Sequence, residues 1–565
     1  MLDERAWPLR VALLLALAAA LLLPGLGRAP LERAEIYFLD GARSMIERHD
    51  LLVPYYRGEP FFDKPPLTYW LMAAGFRALG FEAGAARVVP AVAAMLVLLA
   101  TLWLGTTLFD RRTAFVGALV LATTGAFLGF GRVAMSDMLL ALWTTLAMAI
   151  AAHALREGAH PAWWPVALAA VLGLGFLTKG PIALLLPGLG LGWLAWTRRA
   201  SLPRLRPFIL VAATVVFALI GFGWFVAVQR RLGWAPLEHF FLRENLQRFA
   251  AGTYDAQRPF WYYVPTYLGE GAPWSLFLPL AAFHALRRDD GPSRLLLGWL
   301  ALMLVPLSLS RGKIDYYLLP LYPAASLVVG WFFVTVSWSR RERNWARAVL
   351  AAAVVALAVM PSFLFGQPEP WVPSRAALNA VSGGMGLAVL ACTWAALRPT
   401  PSRTLAILAL SAALVIGSLG CLVVPAFHAA QPLRAVVEDV RREQAYRSDA
   451  TVVACADPLR IQRNLLFHAR TVMEERCDLW ALASSSRPFL LLLDEEQRRS
   501  LLAAEGVREV ARYPYLPASA LTLAGVLERP APAELTLAAN FATDDPVAET
   551  KRKRDRKRAL RDAAE

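Results

Sequence analysis

The sequence predicts a polytopic α-helical membrane protein with about thirteen transmembrane helices, followed by a small C-terminal α/β domain. Of the 565 residues, 57% are hydrophobic and the mean hydropathy is +0.45, which is too apolar for a soluble protein. About thirteen apolar stretches have almost no charge in their middles, and each approaches the ~20 residues that cross a hydrocarbon core of ~30 Å. After about residue 428, charge rises and the apolar stretches end.

The predicted spans are separated by short loops, and the turn between the two spans around Lys179 is especially tight. The first span also fits a signal peptide, but no clear small-residue cleavage site follows it, so we interpret it as a helix. The spans are 8–27, 85–108, 114–131, 137–154, 163–178, 180–197, 208–229, 270–286, 293–310, 316–338, 346–365, 376–397 and 404–425.

Arginines in the short loops predict the orientation of the chain in its membrane, because cytoplasmic loops carry an excess of Lys and Arg. With the N-terminus in the cytoplasm, every cytoplasmic loop is short and basic, whereas the outer loops 29–83, 230–269 and 311–315 mix charges with aromatic residues. An odd number of spans then places the chain beyond about 428 on the outer side of the membrane. The net charge of +15 follows from this anchoring and a basic tail, and does not indicate nucleic acid.

Three regions follow from these patterns. Residues 1–428 form the membrane body, and 429–530 alternate strand-like and helix-like runs, as in a periplasmic α/β domain with its own modest core. Residues 531–565 are polar and end in a run of Lys and Arg, which predicts a disordered tail. Cys455 and Cys477 lie in the outer region, where an oxidising compartment would permit a disulfide.

The outer loops 29–83 and 230–269 are too long and too patterned to be plain connectors. Apolar residues at helical spacing in Ile36–Ile46, and an aromatic-rich stretch at Leu67–Leu79 after a diproline, predict helices lying along the membrane interface.

Cations and tyrosines on these outer segments are the candidate binding residues. Several of them converging at one interface would suit a lipid phosphate, which attracts bidentate Arg and point-charge Lys. Each alone also fits an interfacial salt bridge or a lysine that reaches toward water. They are Lys64, Arg132, Lys179, Arg248, Arg258, Tyr262, Tyr263, Lys313 and Tyr317.

The candidate catalytic residues are the carboxylates Glu35, Asp63 and Asp137. A carboxylate at the mouth of a site can take the proton of an acceptor hydroxyl. Asp137 also fits a helix N-cap, and Glu35 also fits the wet face of an interfacial helix. Paired acids could hold a divalent metal, but there is no His-rich or Cys-rich ligand set. Scattered histidines such as His239 are interpreted as surface or interfacial residues.

Several motifs occur in the order found in one known family. The run FFDKPP at 61–66, GRVAMSDMLLALW at 131–143, LTKGP at 177–181, the segment from ENLQRF to FWYYVP and SRGKIDYYLLPLYPA at 310–324 resemble the bacterial aminoarabinose transferases. Those enzymes are polyprenyl-phosphate-dependent glycosyltransferases of the GT-C class, akin to protein O-mannosyltransferases. The resemblance covers the membrane body to about residue 325.

The resemblance implies inverting transfer of a sugar from an undecaprenyl-phosphate carrier to lipid A or another lipid, glycan or protein of the cell envelope. It implies that Lys64, Arg248 and Tyr317 hold the carrier phosphate, and that Asp63 and Asp137 are active-site acids. The family usually places its favoured catalytic Asp where this chain has Ala34. Three alternatives remain: Glu35 takes over, Glu32 serves through a local shift, or the acceptor needs no base.

Two other functions are compatible with a polytopic chain. A transporter or flippase of lipid-linked sugars would be expected to show internal repeats and polar breaks in its helices near the membrane midplane. An anchor that presents the C-terminal domain would leave the outer-face cations and acids without a role. The sequence therefore favours the glycosyltransferase, expected to act as a monomer.

Overall fold

The computed structural model describes residues 6–29, 31, 33–156, 163–197, 206–251, 258–365, 375–423, 431–454, 467, 473–474, 487–501, 507–515 and 533–541. The chain divides into two compact units, 1–428 and 429–565. Each unit is described by itself.

The first unit is almost entirely helical. Its α-helices are Trp7–Leu22 (α1), Arg33–Glu47 (α2), Leu67–Leu79 (α3), Ala83–Leu108 (α4), Arg111–Ala122 (α5), Gly125–Phe130 (α6), Asp137–Ala154 (α7), Trp164–Lys179 (α8), Ile182–Thr197 (α9), Pro207–Leu232 (α10), Ala235–Glu238 (α11), Arg248–Ala251 (α12), Tyr263–Glu270 (α13), Leu278–Arg287 (α14), Gly291–Leu309 (α15), Tyr322–Thr335 (α16), Arg340–Phe365 (α17), Arg375–Leu397 (α18) and Pro401–Ser418 (α19).

Among the described residues, four segments of 3₁₀- or π-helix lie between or after these α-helices. The 3₁₀-helices are Trp274–Phe277 and Asp315–Leu321, and the π-helices are His239–Gln247 and Leu419–Val423. A two-stranded antiparallel ribbon, Tyr55–Tyr56 (β1) with Glu59–Pro60 (β2), lies between α2 and α3.

Eight helical segments of the described chain are long and apolar enough to cross a membrane, and three shorter apolar helices accompany them. The eight are Ala83–Leu108, Asp137–Ala154, Pro207–Leu232, Gly291–Leu309, Asp315–Thr335, Arg340–Pro361, Arg375–Leu397 and Pro401–Val423. The shorter three are Trp7–Leu22, Trp164–Lys179 and Ile182–Thr197.

Two of the thirteen predicted spans are broken in the structure. The stretch 114–131 divides into α5 and α6, because the hydroxyls of Thr123 and Thr124 bond back to the carbonyls of Leu119 and Val120. The stretch 270–286 contains only α14 after a short 3₁₀-helix, since Pro273 has no amide hydrogen to continue a helix. Hydropathy alone did not reveal either interruption.

Close contacts between small residues bring the membrane helices together. A Cβ on Gly330 in α16 would lie 2.6 Å from the backbone nitrogen of Gly117 in α5. Small residues let helix backbones approach where lipid offers no hydrophobic contrast. The α5–α16 contact helps to hold the 3₁₀-helix Asp315–Leu321, which immediately precedes α16, next to the cavity described below.

The second unit contains a five-stranded mixed sheet. The strands are Thr451–Ala454 (β3), Met473–Glu474 (β4), Phe489–Leu493 (β5), Arg508–Tyr515 (β6) and Ala533–Ala539 (β7), in the order β4-β3-β5-β7-β6. β3 runs parallel to β4 and β5, whereas β7 is antiparallel to both β5 and β6. All five residues of β5 are buried, as expected for a central strand covered on both faces.

The described residues of this unit include two helices, Leu433–Tyr446 (α20) and Glu495–Leu501 (α21). Tyr513 in β6 donates a hydrogen bond of 2.6 Å to Asp439 in α20. The tail predicted for 531–565 includes a strand of the sheet, since β7 spans Ala533–Ala539 and its Leu535 and Leu537 are buried. Cys455 and Cys477 lie outside the described residues, so their pairing stays a prediction.

Candidate active site

Two adjoining cavities lie where the outer loops meet the helix ends. The larger has a volume of about 1080 Å³ and is lined by Ala34, Tyr37, Pro60, Phe61, Phe62, Asp63, Ala126, Gly129, Phe130, Val133, Met135, His239, Glu244, Arg248, Glu270, Ile314, Asp315 and Tyr316. The smaller, about 140 Å³, shares Asp63, Glu244 and Arg248 with it. Its other lining residues include Lys64, Lys179 and Tyr317 among many apolar side chains.

Lys64 and Arg248 meet at one carboxylate between the cavities. The ammonium of Lys64 lies 3.6 Å from Oε2 of Glu244, and Nη1 of Arg248 lies 3.3 Å from the same oxygen. Burial lowers the pKa of Lys64, and the attraction of Glu244 offsets part of that effect. Two cations that share a single carboxylate leave net positive charge, which favours an anion in the adjacent space.

The π-helix His239–Gln247 places this group. Glu244 and Arg248 are four residues apart, and the ion pair between them lies at the transition from the π-helix to α12. Single-turn π-helical segments occur often at functional sites because they change the direction of side chains. Here the π-helix directs His239 and Glu244 to the cavity walls, and Arg248 reaches them from the start of α12.

A second ion pair, Lys179 with Asp137, borders the smaller cavity. Lys179 ends α8 and Asp137 begins α7, so the acid is held at a helix N-terminus, where negative charge is favourable. The Lys179 ammonium lies 4.8 Å from the centre of the Tyr317 ring. The contact gives Tyr317 a fixed place beside the cations.

Gly180 allows this approach of α8 to the π-helix. Its φ is +71°, a left-handed conformation that favours glycine, and an added Cβ would lie 2.5 Å from Cζ of Phe240. A larger residue here would push the π-helix away from Lys179. The Thr-Lys-Gly turn therefore serves close packing as well as the placement of the lysine.

Asp63 and His239 form a hydrogen-bonded pair on the wall of the larger cavity. Oδ1 of Asp63 lies 2.9 Å from Nε2 of His239. Among the described residues, Asp63, His239 and Glu244 form a group that could hold a metal, with ligand atoms within 4.8 Å of one another. However, Glu244 is already paired with both Lys64 and Arg248, and the net positive charge of these cations together with Lys179 opposes a divalent ion.

Two further acids, Glu270 and Asp315, line the larger cavity. Glu270 lies 3.5 Å from the hydroxyl of Tyr322, and burial together with the charge of Asp315 raises the pKa of Glu270 to about 7. Asp315 accepts a hydrogen bond from the backbone nitrogen of Tyr316.

Glu35 is not brought to the cavity wall. Its carboxylate is fully buried and forms a two-bond ion pair with Arg87, with both distances 2.7 Å. It also accepts a hydrogen bond from the backbone nitrogen of Ala134. The expected position of Glu35 at the mouth therefore needs correction, because α2 directs this side chain toward α4 and leaves Ala34 lining the cavity.

Arg132 also lies apart from the predicted phosphate group. Its guanidinium donates to the carbonyls of Leu21, Leu22 and Pro24 at the end of α1, and to that of Gly420. A cation at a helix C-terminus satisfies carbonyls that the helix leaves unpaired. The structure thus gives Arg132 the role of joining α1 to the segment before α7.

The remaining predicted cations and tyrosines do not line either cavity. They are Arg258, Tyr262, Tyr263 and Lys313. Lys313 donates to the carbonyl of Arg258, and the Arg258 guanidinium lies 5.0 Å from the Tyr262 ring centre. Tyr263 packs edge-on against Tyr262 and is buried. Close to Lys313 in sequence, the backbone nitrogen of Arg311 donates a hydrogen bond to the carbonyl of Phe249, which lines the smaller cavity.

Sequence reasoning missed several cavity residues. Glu244 could have been found, because its spacing to Arg248 is that of a helical ion pair. His239 was assigned to the surface because no local pattern links it to Asp63. Glu270 begins one predicted span and Asp315 precedes another, and apart from their charge nothing in the sequence indicates a place in the cavity.

The chain is similar to several known proteins. Residues 63–224 match the family model described as dolichyl-phosphate-mannose-protein mannosyltransferase. The undecaprenyl phosphate-α-4-amino-4-deoxy-L-arabinose arabinosyl transferase of Erwinia tasmaniensis is 30% identical over 378 residues, which cover 64% of this chain and 67% of the relative. The enzyme of the same name from Pectobacterium carotovorum is 32% identical over 62% of this chain and 65% of its own length.

A solved structure has the same fold along most of the chain. It is the crystal structure of ArnT from Cupriavidus metallidurans bound to undecaprenyl phosphate, with a TM-score of 0.72 at 20% identity. The similarity covers 96% of this chain and 99% of that one. The sequence relatives, by contrast, match over about two thirds of their length.

Proposed function

Because the chain belongs to the family of undecaprenyl phosphate aminoarabinose transferases, GT-C glycosyltransferases related to protein O-mannosyltransferases, we propose that it moves a sugar from a polyprenyl-phosphate carrier to a cell-envelope acceptor. It is a multi-pass inner-membrane enzyme that uses a lipid-phosphate-linked sugar donor. The acceptor is lipid A or another lipid, glycan or protein on the periplasmic face.

One observation carries the proposal: Lys64 and Arg248 share Glu244 beside a narrow cavity with mostly apolar walls. A carrier phosphate placed there would replace part of the Glu244 contact and meet two donors at once. The apolar walls suit the first isoprene units of the carrier. The larger cavity then receives the sugar and the acceptor hydroxyl.

In this arrangement the cations favour departure of the phosphate. The acceptor oxygen attacks the anomeric carbon from the face opposite the carrier oxygen, so the configuration inverts. Negative charge grows on the phosphate as its bond to the sugar breaks, and fixed cations stabilise that charge more in the transition state than in the ground state. Lys179, held by Asp137 and Tyr317, adds a third cation to the same wall.

Several finer features belong to the same proposal. The chain has about thirteen spans with the N-terminus in the cytoplasm and the C-terminal α/β unit in the periplasm, and it acts as a monomer. The basic short loops support this orientation. Labelling of single cysteines at 64 and 199 in whole cells tests it: only position 64 should react with an impermeant reagent.

A transporter of lipid-linked sugars is not favoured. The cations and acids group at one end of the helices, and the two cavities join there. A site for alternating access would be expected near the midplane between repeats.

Turnover with purified protein tests the proposal. The donors are short-chain polyprenyl-phosphate sugars, the acceptors are lipid A and other envelope components, and products are identified by mass spectrometry. Glycosylated acceptor together with free polyprenyl phosphate is the expected result. Movement of intact donor across a vesicle without chemical change would contradict it.

A further inference from the structure

One histidine lines the larger cavity beside the proposed phosphate position. His239 lies on its wall, with Nε2 bonded to Asp63 and with a side chain about one third exposed. We propose that His239, oriented by Asp63, is the base that takes the proton of the acceptor hydroxyl. The inference rests on the proposed glycosyl transfer.

The position of His239 follows from contacts already described. The ligand atoms of His239, Asp63 and Glu244 lie within 4.8 Å of one another, and Glu244 contacts both Lys64 and Arg248. The imidazole is therefore a near neighbour of the cations that would hold the carrier phosphate. A hydroxyl approaching the anomeric carbon from the larger cavity passes this wall.

The hydrogen bond to Asp63 sets the chemistry of the ring. With a proton on Nε2 donated to the carboxylate, the lone pair of Nδ1 is free to accept, and Nδ1 has no hydrogen-bond partner in the described part of the chain. A carboxylate behind an imidazole fixes the tautomer and stabilises the imidazolium that forms. An imidazole nitrogen with a free lone pair can take the proton of a nearby hydroxyl.

The proposed step balances without another reactant. The acceptor oxygen forms a bond to the anomeric carbon while its proton passes to Nδ1 of His239. The bond between the anomeric carbon and the carrier oxygen breaks, and its electron pair stays on the phosphate. The imidazolium then returns its proton to water or to the departing phosphate.

The other acids of the region have partners of their own. Glu35 forms an ion pair with Arg87, and Asp137 forms one with Lys179. Glu244 is paired with Lys64 and Arg248. Glu270 also lines the larger cavity, where the hydroxyl of Tyr322 contacts it at 3.5 Å and the charge of Asp315 acts on it. It is therefore the competing candidate in the test.

The experiment compares His239→Gln, Asp63→Asn and Glu270→Gln in the transfer assay, with binding of undecaprenyl phosphate measured for each. His284→Gln is the matched control, because His284 forms a similar pair with Glu342 at 3.0 Å and lies outside both cavities. His239→Gln should lower kcat by about 10²–10⁴-fold with carrier binding unchanged. His284→Gln should stay within about twofold of wild type, the scatter expected where no catalytic contact is lost.

Further measurements distinguish a base from a metal ligand at His239. Imidazole added to His239→Ala should restore part of the turnover if the ring acts as the base. The inference is overturned if His239→Gln keeps kcat near wild type, or if Glu270→Gln alone removes turnover. It is also overturned if a chelator abolishes wild-type activity and Mn²⁺ restores it, since Asp63 and His239 would then be metal ligands. A wild type that transfers no sugar contradicts the proposed function itself and the inference with it.

Discussion

Lys64 and Arg248, from two separate outer loops, contact the same oxygen of Glu244 at 3.6 and 3.3 Å. Through these three residues, the loops 29–83 and 230–269 meet beside the narrow cavity. Because the loops come together on a single carboxylate, an arriving phosphate can bind both of them. Donor binding and loop closure are therefore expected to be coupled.

Removing either cation should weaken carrier binding. Lys64→Ala and Arg248→Ala each lose a charge-assisted contact worth about 1.5–3 kcal/mol, equivalent to about 10–150-fold in Kd for undecaprenyl phosphate. Arg243→Ala is the matched control, because Arg243 is exposed on the same π-helix. Binding measured by fluorescence or calorimetry checks the effect, and equal losses for Arg243→Ala and Arg248→Ala would count against a specific pocket.

The pH dependence of donor binding should report Lys64. Burial lowers the pKa of Lys64, so its charge is present at low pH and is lost as pH rises through a value below that of a free lysine. Carrier affinity should therefore fall on the alkaline side earlier than expected for an ordinary Lys. Lys64→Arg should move that fall to higher pH, since Arg stays protonated. An identical alkaline limb in both proteins would assign it to another group.

Glu35 should be important for stability. Glu35→Gln leaves the buried Arg87 without its anionic partner, a change that typically costs about 3–5 kcal/mol of unfolding free energy. Thermal unfolding in detergent checks this. Arg231→Ala is the control, because its ion pair with Asp50 is half-exposed and should contribute only about 0–1 kcal/mol. If Glu35→Gln unfolds like wild type yet loses kcat, Glu35 acts in catalysis after all.

Gly180 should tolerate no side chain. Gly180→Ala places a Cβ against Phe240 at a positive φ, so the π-helix must shift and turnover should fall more than tenfold, as for displaced catalytic groups. Gly188→Ala, on α9, meets nothing within 4 Å and should be neutral or slightly stabilising. Comparable activities for the two variants would show that the turn does not place the cations.

The sequence predicted the helical membrane body, and of the nine cations and tyrosines that it grouped at one interface, four line the smaller cavity: Lys64, Lys179, Arg248 and Tyr317. It misplaced Glu35, because the partner that withdraws this acid from the cavity is Arg87, far along the chain. Periodicity shows which face of a helix is apolar, but it does not show which buried cation will meet a carboxylate there.

The same limit explains the pair of Asp63 and His239. The two residues lie on different outer loops, and only the packing of the π-helix against the first loop brings their side chains to hydrogen-bond distance. A single sequence contains no local signal for such a contact. The diproline at 65–66 and the short Thr-Lys-Gly turn, by contrast, act locally and could be interpreted directly.

A structure of the protein bound to undecaprenyl phosphate tests the central claim most directly. The account predicts phosphate oxygens at about 3 Å from both the Lys64 ammonium and the Arg248 guanidinium, with the first isoprene units along Leu186 and Phe249. The Glu244 contact with at least one of these cations should lengthen at the same time. A phosphate bound instead at Arg132, or at Lys313 and Arg258, with Lys64 and Arg248 still paired to Glu244, would contradict the account.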